Sequence, residues 1–198
     1  MIIMARGKTH IVKHRRRRKG ETDYRLRFSV LKSGKPRLVI RKSSNNTTCQ
    51  IIKYDSNGDK VIASADSRNL KGFGWTGHCG NVPAAYLTGM LCGTAAKKAN
   101  VNKAVTDIGL YTSVKGSRLY SALKGVNDAG IQVPHSEEVL PQKERLEGKH
   151  TTNSEKAAKE FSAAKENIIS GKPVKKAETK TTAKKETKPK TDKNKRPI

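Results

Sequence analysis

The sequence predicts an α/β fold: an antiparallel three-stranded meander followed by α-β-α, forming one mixed sheet with helices packed on it. A basic N-terminal arm precedes this body and a Lys-rich tail follows it. Three observations carry the prediction. Runs rich in Val, Ile and Leu, divided by turn residues, occupy the stretch from Arg25 to Ala65. Two stretches of helical period open at Pro83 and Ser117. Both ends are too charged and too poor in apolar residues to build a core.

In chain order, residues 1–23 read as an extended basic arm. Leu26, Phe28 and Val30 alternate with Arg27 and Ser29, the period-two signature of a half-buried strand. Ser33-Gly34-Lys35-Pro36 breaks it as a turn. Leu38, Val39 and Ile40 form a β-rich run. The polar stretch Ser43 to Thr48 is a bulge or loop, and Cys49 to Tyr54 restarts the strand signal. Asp55-Ser56-Asn57-Gly58-Asp59 is a strong turn, and Lys60 to Ala65 supplies another strand.

Leu70 to Val82 holds Gly72, Gly74, Gly77, Gly80 and the only Trp, and is too irregular for a regular element. Pro83 then opens a helix, where its missing N–H costs little. Leu87, Leu91 and Ala95 make its stripe, and Gly89 and Gly93 point to close packing on a sheet. A strand spans Val105 to Tyr111, and a helix Ser117 to Ala129 stops at Gly130. Residues 134–150 close the 24–150 body as loops. Ala157, Phe161, Ala164 and Ile168 mark a short amphipathic helix within 151–171. The 172–198 tail is expected to be disordered in isolation.

Lys and Arg number 42 against 17 Asp and Glu, a net charge of +25. Residues 1–20 contribute eight cations and no acid, so this arm repels itself and needs a dense polyanion to lie against. Its candidate contacts are Lys13, Arg15, Arg16, Arg17, Arg18 and Lys19, with Arg25 just beyond. Arginine offers a planar fork to phosphate and stacks on bases. Lys32, Lys35, Arg37, Arg41 and Lys42 cluster around the first turn and strand. Ser44, Asn45 and Asn46 bring short side chains able to read 2′-hydroxyls, or form an ordinary polar loop.

In the glycine-rich segment Lys71, Phe73, Trp75 and His78 are candidates. The aromatics stack on bases, or Trp75 caps the sheet as a core residue. Lys115 and Arg118 sit at the start of the second helix, where free N–H groups attract phosphate.

Three unpaired-spacing cysteines suit reduced thiols in a cytosol. No apolar run approaches the roughly 18 residues of a membrane span. His78 beside Cys79, and His10 with His14, fall short of a zinc signature, so neither metal nor cofactor is expected.

The stretches Arg37 to Ser43, Gly72 to Gly80, Asn81 to Gly89, Asp107 to Leu110 and Lys115 to Gly130 carry a resemblance. Together with Thr22-Asp23-Tyr24-Arg25, they resemble the archaeal form of the 5S rRNA-binding large-subunit ribosomal protein family, universal large-subunit protein eighteen. The resemblance covers roughly residues 5–150, and the Lys-rich tail departs from it. It implies a protein of cytoplasmic ribosomes that binds 5S rRNA and helps join it to 23S rRNA in the central protuberance. It also implies neighbouring 5S-binding proteins, membership of the 50S subunit rather than a homo-oligomer, and no enzymatic activity.

Two other classes compete. A metal-dependent nuclease needs converging carboxylates, and Asp107 has no second acid on its strand. A DNA-compacting protein accounts for the ends but has no use for the glycine segment and the mixed sheet.

Overall fold

A computed structural model describes residues 11–150 and 154–171. The chain runs α1 (Arg15–Arg18), α2 (Tyr24–Leu31), β1 (Arg37–Lys42), β2 (Thr47–Lys53) and β3 (Lys60–Asp66). After a 3-10 segment (Ser67–Phe73) come α3 (Val82–Lys98), β4 (Val105–Asp107), α4 (Arg118–Asp128), α5 (Lys143–Leu146) and α6 (Ser154–Ser170). The mixed α/β sheet with packed helices is therefore present.

The sheet order is β3-β2-β1-β4. β1 pairs antiparallel with β2, from Arg37 opposite Ile52 to Lys42 opposite Thr47, and β2 pairs antiparallel with β3. β4 joins β1 in parallel, Arg37 beside Val105. Leu38, Ile40, Cys49, Ile51, Ala63 and Ala65 all point to one face, buried beneath α3 and α4. That is the period-two consequence of strand geometry.

α3 is the centre of the molecule. Asn81 caps it by accepting from the Ala84 N–H (2.9 Å), and Val82 to Met90 are buried without interruption. A helix buried all round must be covered on several sides. The sheet covers one, α4 a second, and α6 with the 3-10 segment a third, where Phe161, Ala164 and Ile168 meet Trp75, Tyr86, Leu87 and Met90. Gly89 and Gly93 pack against α4, not against the sheet as expected. A methyl on Gly89 would strike the Ala122 carbonyl, and one on Gly125 would strike the Tyr86 carbonyl. Buried Ser121 closes the same contact by donating to the Val82 carbonyl (2.7 Å).

Two further expectations fail. Residues 24–31 form a helix, not a strand. Asp23 caps it, accepting from the N–H groups of Arg25 (2.9 Å) and Leu26 (3.3 Å). None of its residues is buried, and Phe28 is 70% exposed, so the apolar alternation does not mark a core face. The last strand also ends early, at Asp107. The Asp107 side chain accepts from the Gly109 N–H (3.0 Å), and Gly109 at φ +64° turns the chain away.

The α3–α4 contact makes a direct prediction. Gly125→Ala forces the two backbones apart and lowers unfolding free energy by about 3 kcal/mol in urea denaturation. A loss below about 1 kcal/mol would show that the helices can separate freely.

Candidate nucleic-acid interface

Residues 1–10 of the arm lie outside the described residues; within the rest, Arg15–Arg18 form a single helical turn rather than extended chain, with Arg18 N–H bonded to the His14 carbonyl (3.0 Å). Successive side chains on such a turn diverge by a quarter circle or more, which separates four like charges. Arg16 Nε donates to Thr22 (2.9 Å), and its Nη1 stands 4.0 Å from Glu21. Lys13, Arg15, Arg17, Arg18 and Lys19 are exposed and have no carboxylate partner among the described residues. Arg25, Lys32 and Lys35 are likewise exposed and unpaired there.

Arg37 is a different matter. It is 3% exposed, and its guanidinium pairs with Asp59 (2.6 Å) and Asp107 (3.0 Å). Asp59 also holds Arg27 (2.7 Å), and Asp107 holds Arg41 (3.1 Å). This chain of charges fixes α2, β1 and β4 to one another. It lines a cleft of about 220 Å³ between the arm and the open sheet face. Arg37 is consumed by the fold and is withdrawn as an RNA ligand. Arg41 donates to the Ile40 and Asp107 carbonyls yet keeps 43% of its side chain exposed. Asp107, the sole strand carboxylate of the nuclease reading, is occupied by two arginines.

At the end of β1, Lys42 lies over the Tyr111 ring (5.4 Å), and Tyr111 donates to the Lys42 carbonyl (2.6 Å). Ser43 and Asn46 close the β1–β2 loop on themselves, which leaves Ser44 and Asn45 exposed at its tip and Asn46 half-buried. Gly80 sits against this loop, where a Cβ would stand 2.6 Å from the Ser44 carbonyl. Arg118 ties the two loops together. Its Nη1 donates to the carbonyls of Gly80 (2.6 Å), Ser43 (3.1 Å) and Ser44 (3.4 Å). Arg118 thus positions the two loops through Nη1 while its guanidinium keeps its charge, because carbonyls accept hydrogen bonds without neutralising it.

Trp75 is 2% exposed and belongs to the core beneath α6, so it cannot stack on a base. Phe73 packs half-buried at the rim of that core, and its carbonyl accepts from Asn167 (3.0 Å). His78 is exposed on the same loop, with Nδ1 accepting from the Gly80 N–H (3.0 Å). Lys71 is exposed, and Lys115 reaches Glu138 (3.0 Å) on the surface. What remains accessible among the candidates is the arm, Arg25, Lys32, Lys35, Arg41, Lys42, the tip of the β1–β2 loop, Lys71, His78 and Lys115.

Lys97, Lys98 and Lys103 are exposed towards the C-terminal end of α3.

Burial pushes the Cys92 thiol up to about 12 and that of fully buried Cys49 well above its ordinary value. Neither is a thiolate near neutral pH. Among the described residues no group of three His, Cys, Asp or Glu is placed to hold a metal ion. No helix there is long and apolar enough to cross a membrane.

Two predictions follow from the carboxylates. Asp107→Ala leaves buried Arg37 half-paired and lowers stability by about 2 kcal/mol in urea titration. No loss would mean that the ion chain is not structural. At Asp66 burial acts to raise the pKa, but bonds from Arg68 and Thr48 outweigh it and hold the carboxyl below 3.8. Its contribution is present above that ordinary value and lost as pH falls through the folded one. Acid titrations of the parent should therefore fall more steeply below about pH 4 than those of Asp66→Asn.

Comparison with known proteins gives the family of the chain. The family model of ribosomal large subunit proteins 60S L5 and 50S L18 matches residues 8–103 and 94–136. Over 157 residues, 79% of this chain and 81% of the relative, it is 49% identical to the large ribosomal subunit protein uL18 of Methanococcus maripaludis. The chain belongs to the family of ribosomal large-subunit proteins that comprises 60S L5 and 50S L18.

Proposed function

We propose that the protein binds 5S rRNA and helps fasten it to 23S rRNA in the central protuberance, beside other 5S-binding proteins of cytoplasmic ribosomes. Family membership makes it a structural, non-enzymatic constituent of the large ribosomal subunit. The observation that carries the finer reading is the unpaired charge of the arm. Lys13, Arg15, Arg17, Arg18 and Lys19 are exposed and have no acid partner among the described residues, and Arg41, Lys42 and the exposed Ser44-Asn45 tip add further cations and short polar side chains on the body. Phosphates release counterions to such an arm, and arginine forks hold them bidentately. Ser44 and Asn45 then meet 2′-hydroxyls and base edges of irregular RNA.

Filter binding of the full chain to 5S rRNA tests this. Affinity should fall by about a thousandfold between about 50 and 200 mM salt. Replacing Arg15, Arg17 and Arg18 with glutamine should lower the slope of log K against log salt by about 2 to 3. A salt-independent affinity, or equal affinity for unrelated structured RNAs, would defeat the proposal.

A further inference from the structure

We infer that Asn57 is a site of spontaneous covalent change: the Gly58 nitrogen closes on its side chain, and the isoaspartate that results weakens the clamp holding α2 to the body. The β2–β3 turn has no role in the RNA reading, and the change does not depend on it.

Asn57 is the one asparagine of the chain that precedes a glycine. Residues 56–60 are all exposed, at the end of the hairpin that joins β2 to β3. The Asn57 backbone N–H reaches the Asp55 side chain (3.4 Å), while its own side-chain amide has no hydrogen-bond partner among the described residues. A Cβ built on Gly58 would meet no atom within 4 Å, so nothing crowds the neighbouring nitrogen. Gly58 takes φ +144°, which side chains rarely allow, so the turn itself demands the least hindered successor to Asn57. Other asparagines are held or hindered. The Asn81 side chain caps α3, that of Asn167 donates to the Phe73 carbonyl, and Asn100 is followed by β-branched Val101.

The reaction consumes only water. The Gly58 N–H donates to the Asp55 carbonyl (3.1 Å), and this bond opens first. Exposed turns without apolar cover open at little cost. The freed Gly58 nitrogen attacks the Asn57 Cγ carbonyl. A C–N bond forms, the side-chain nitrogen leaves as ammonia with the Gly58 proton, and a cyclic succinimide remains. Water opens the ring at either carbonyl. One opening gives aspartate at position 57; the other gives isoaspartate, with the main chain rerouted through Cβ.

The consequence falls on Asp59, just beyond the altered bond. Its carboxylate holds Arg27 of α2 (2.7 Å) and Arg37 of β1 (2.6 Å). Isoaspartate lengthens the turn by one backbone atom and adds a negative group beside the Asp55–Lys60 pair. The two arginines differ in what else holds them. Arg37 is enclosed and keeps Asp107 (3.0 Å) as a second partner. Arg27 is more exposed and has no other carboxylate among the described residues. α2 buries none of its residues, so it is the element that loosens.

The test ages the full-length parent and Asn57→Gln in mildly alkaline buffer, because the attacking nitrogen must lose its proton. Isoaspartate is labelled with protein isoaspartyl methyltransferase and S-adenosylmethionine, and proteolytic fragments are mapped by mass spectrometry. Hydrogen exchange over residues 24–31 is followed in parallel. The fragment spanning Asn57 should gain about tenfold or more label than any other asparagine fragment, because only there is the successor a glycine. Asn57→Gln should stay unlabelled at that position, since its longer side chain closes a ring far more slowly. Amides of α2 should exchange about threefold or more faster in aged parent than in fresh parent or aged Asn57→Gln. Label absent from position 57, or spread evenly over the asparagines, overturns the inference. Label at position 57 with unchanged exchange over α2 overturns the link through Asp59. Neither readout involves RNA, so failure of the 5S reading leaves both outcomes standing.

Discussion

The backbone contact between α3 and α4 is the constraint on which the rest depends. Gly89 and Gly125 each sit where the other helix's carbonyls leave no room for a methyl group. Close approach of two helices lets both lie on a sheet of only four strands. It also aligns their N-termini, so that the segment before α3 and the segment before α4 arrive at the same end of the sheet. Ser121 bonded to the Val82 carbonyl fixes the axial register of that pair. The site loops inherit their positions from this register.

Charge is managed by the same economy. A chain with 42 cations and 17 acids cannot neutralise its surface, and the fold does not attempt it. Five of its aspartates stand where a geometry must be held. Asp59 and Asp107 brace Arg37, Asp23 caps α2, Asp66 caps the 3-10 segment, and Asp128 anchors Tyr86. Each aspartate so used is one fewer partner for a surface cation. The unpaired excess is therefore partly a product of how the fold is pinned, and two arginines of the sequence reading, Arg37 and Arg118, are part of the pinning.

Much of the fold was legible because its signals are local. Turn residues bound the three antiparallel strands, Pro83 and Gly130 punctuate the two main helices, and the stripe Phe161-Ala164-Ile168 is buried on α6. The failures share a cause. Leu26, Phe28 and Val30 alternate as a strand would, but burial decides what alternation means, and here none of the three is buried in the core. The cap at Asp23 was the signal to weigh instead. Availability of the site residues was less legible than their chemistry. Nothing near Arg37 in sequence announces Asp59 or Asp107, and nothing near Arg118 announces three carbonyls from two other loops. Trp75 was ambiguous until α6 was seen to cover it.

The position of α2 follows from these points. None of its eight residues is fully buried, so its placement leans on the Arg27–Asp59 pair along its length, with Asp23 capping its start. Such a helix is held more by polar contacts than by packing, and it leads from the arm to Lys32. Its outer face presents Arg25 and exposed Phe28 along the way. An apolar helix at this position would have to bury itself against the open sheet face, and would close the cleft where Arg37 meets its carboxylates. A charged and weakly packed one keeps the arm attached to the body while leaving cations exposed at both of its ends.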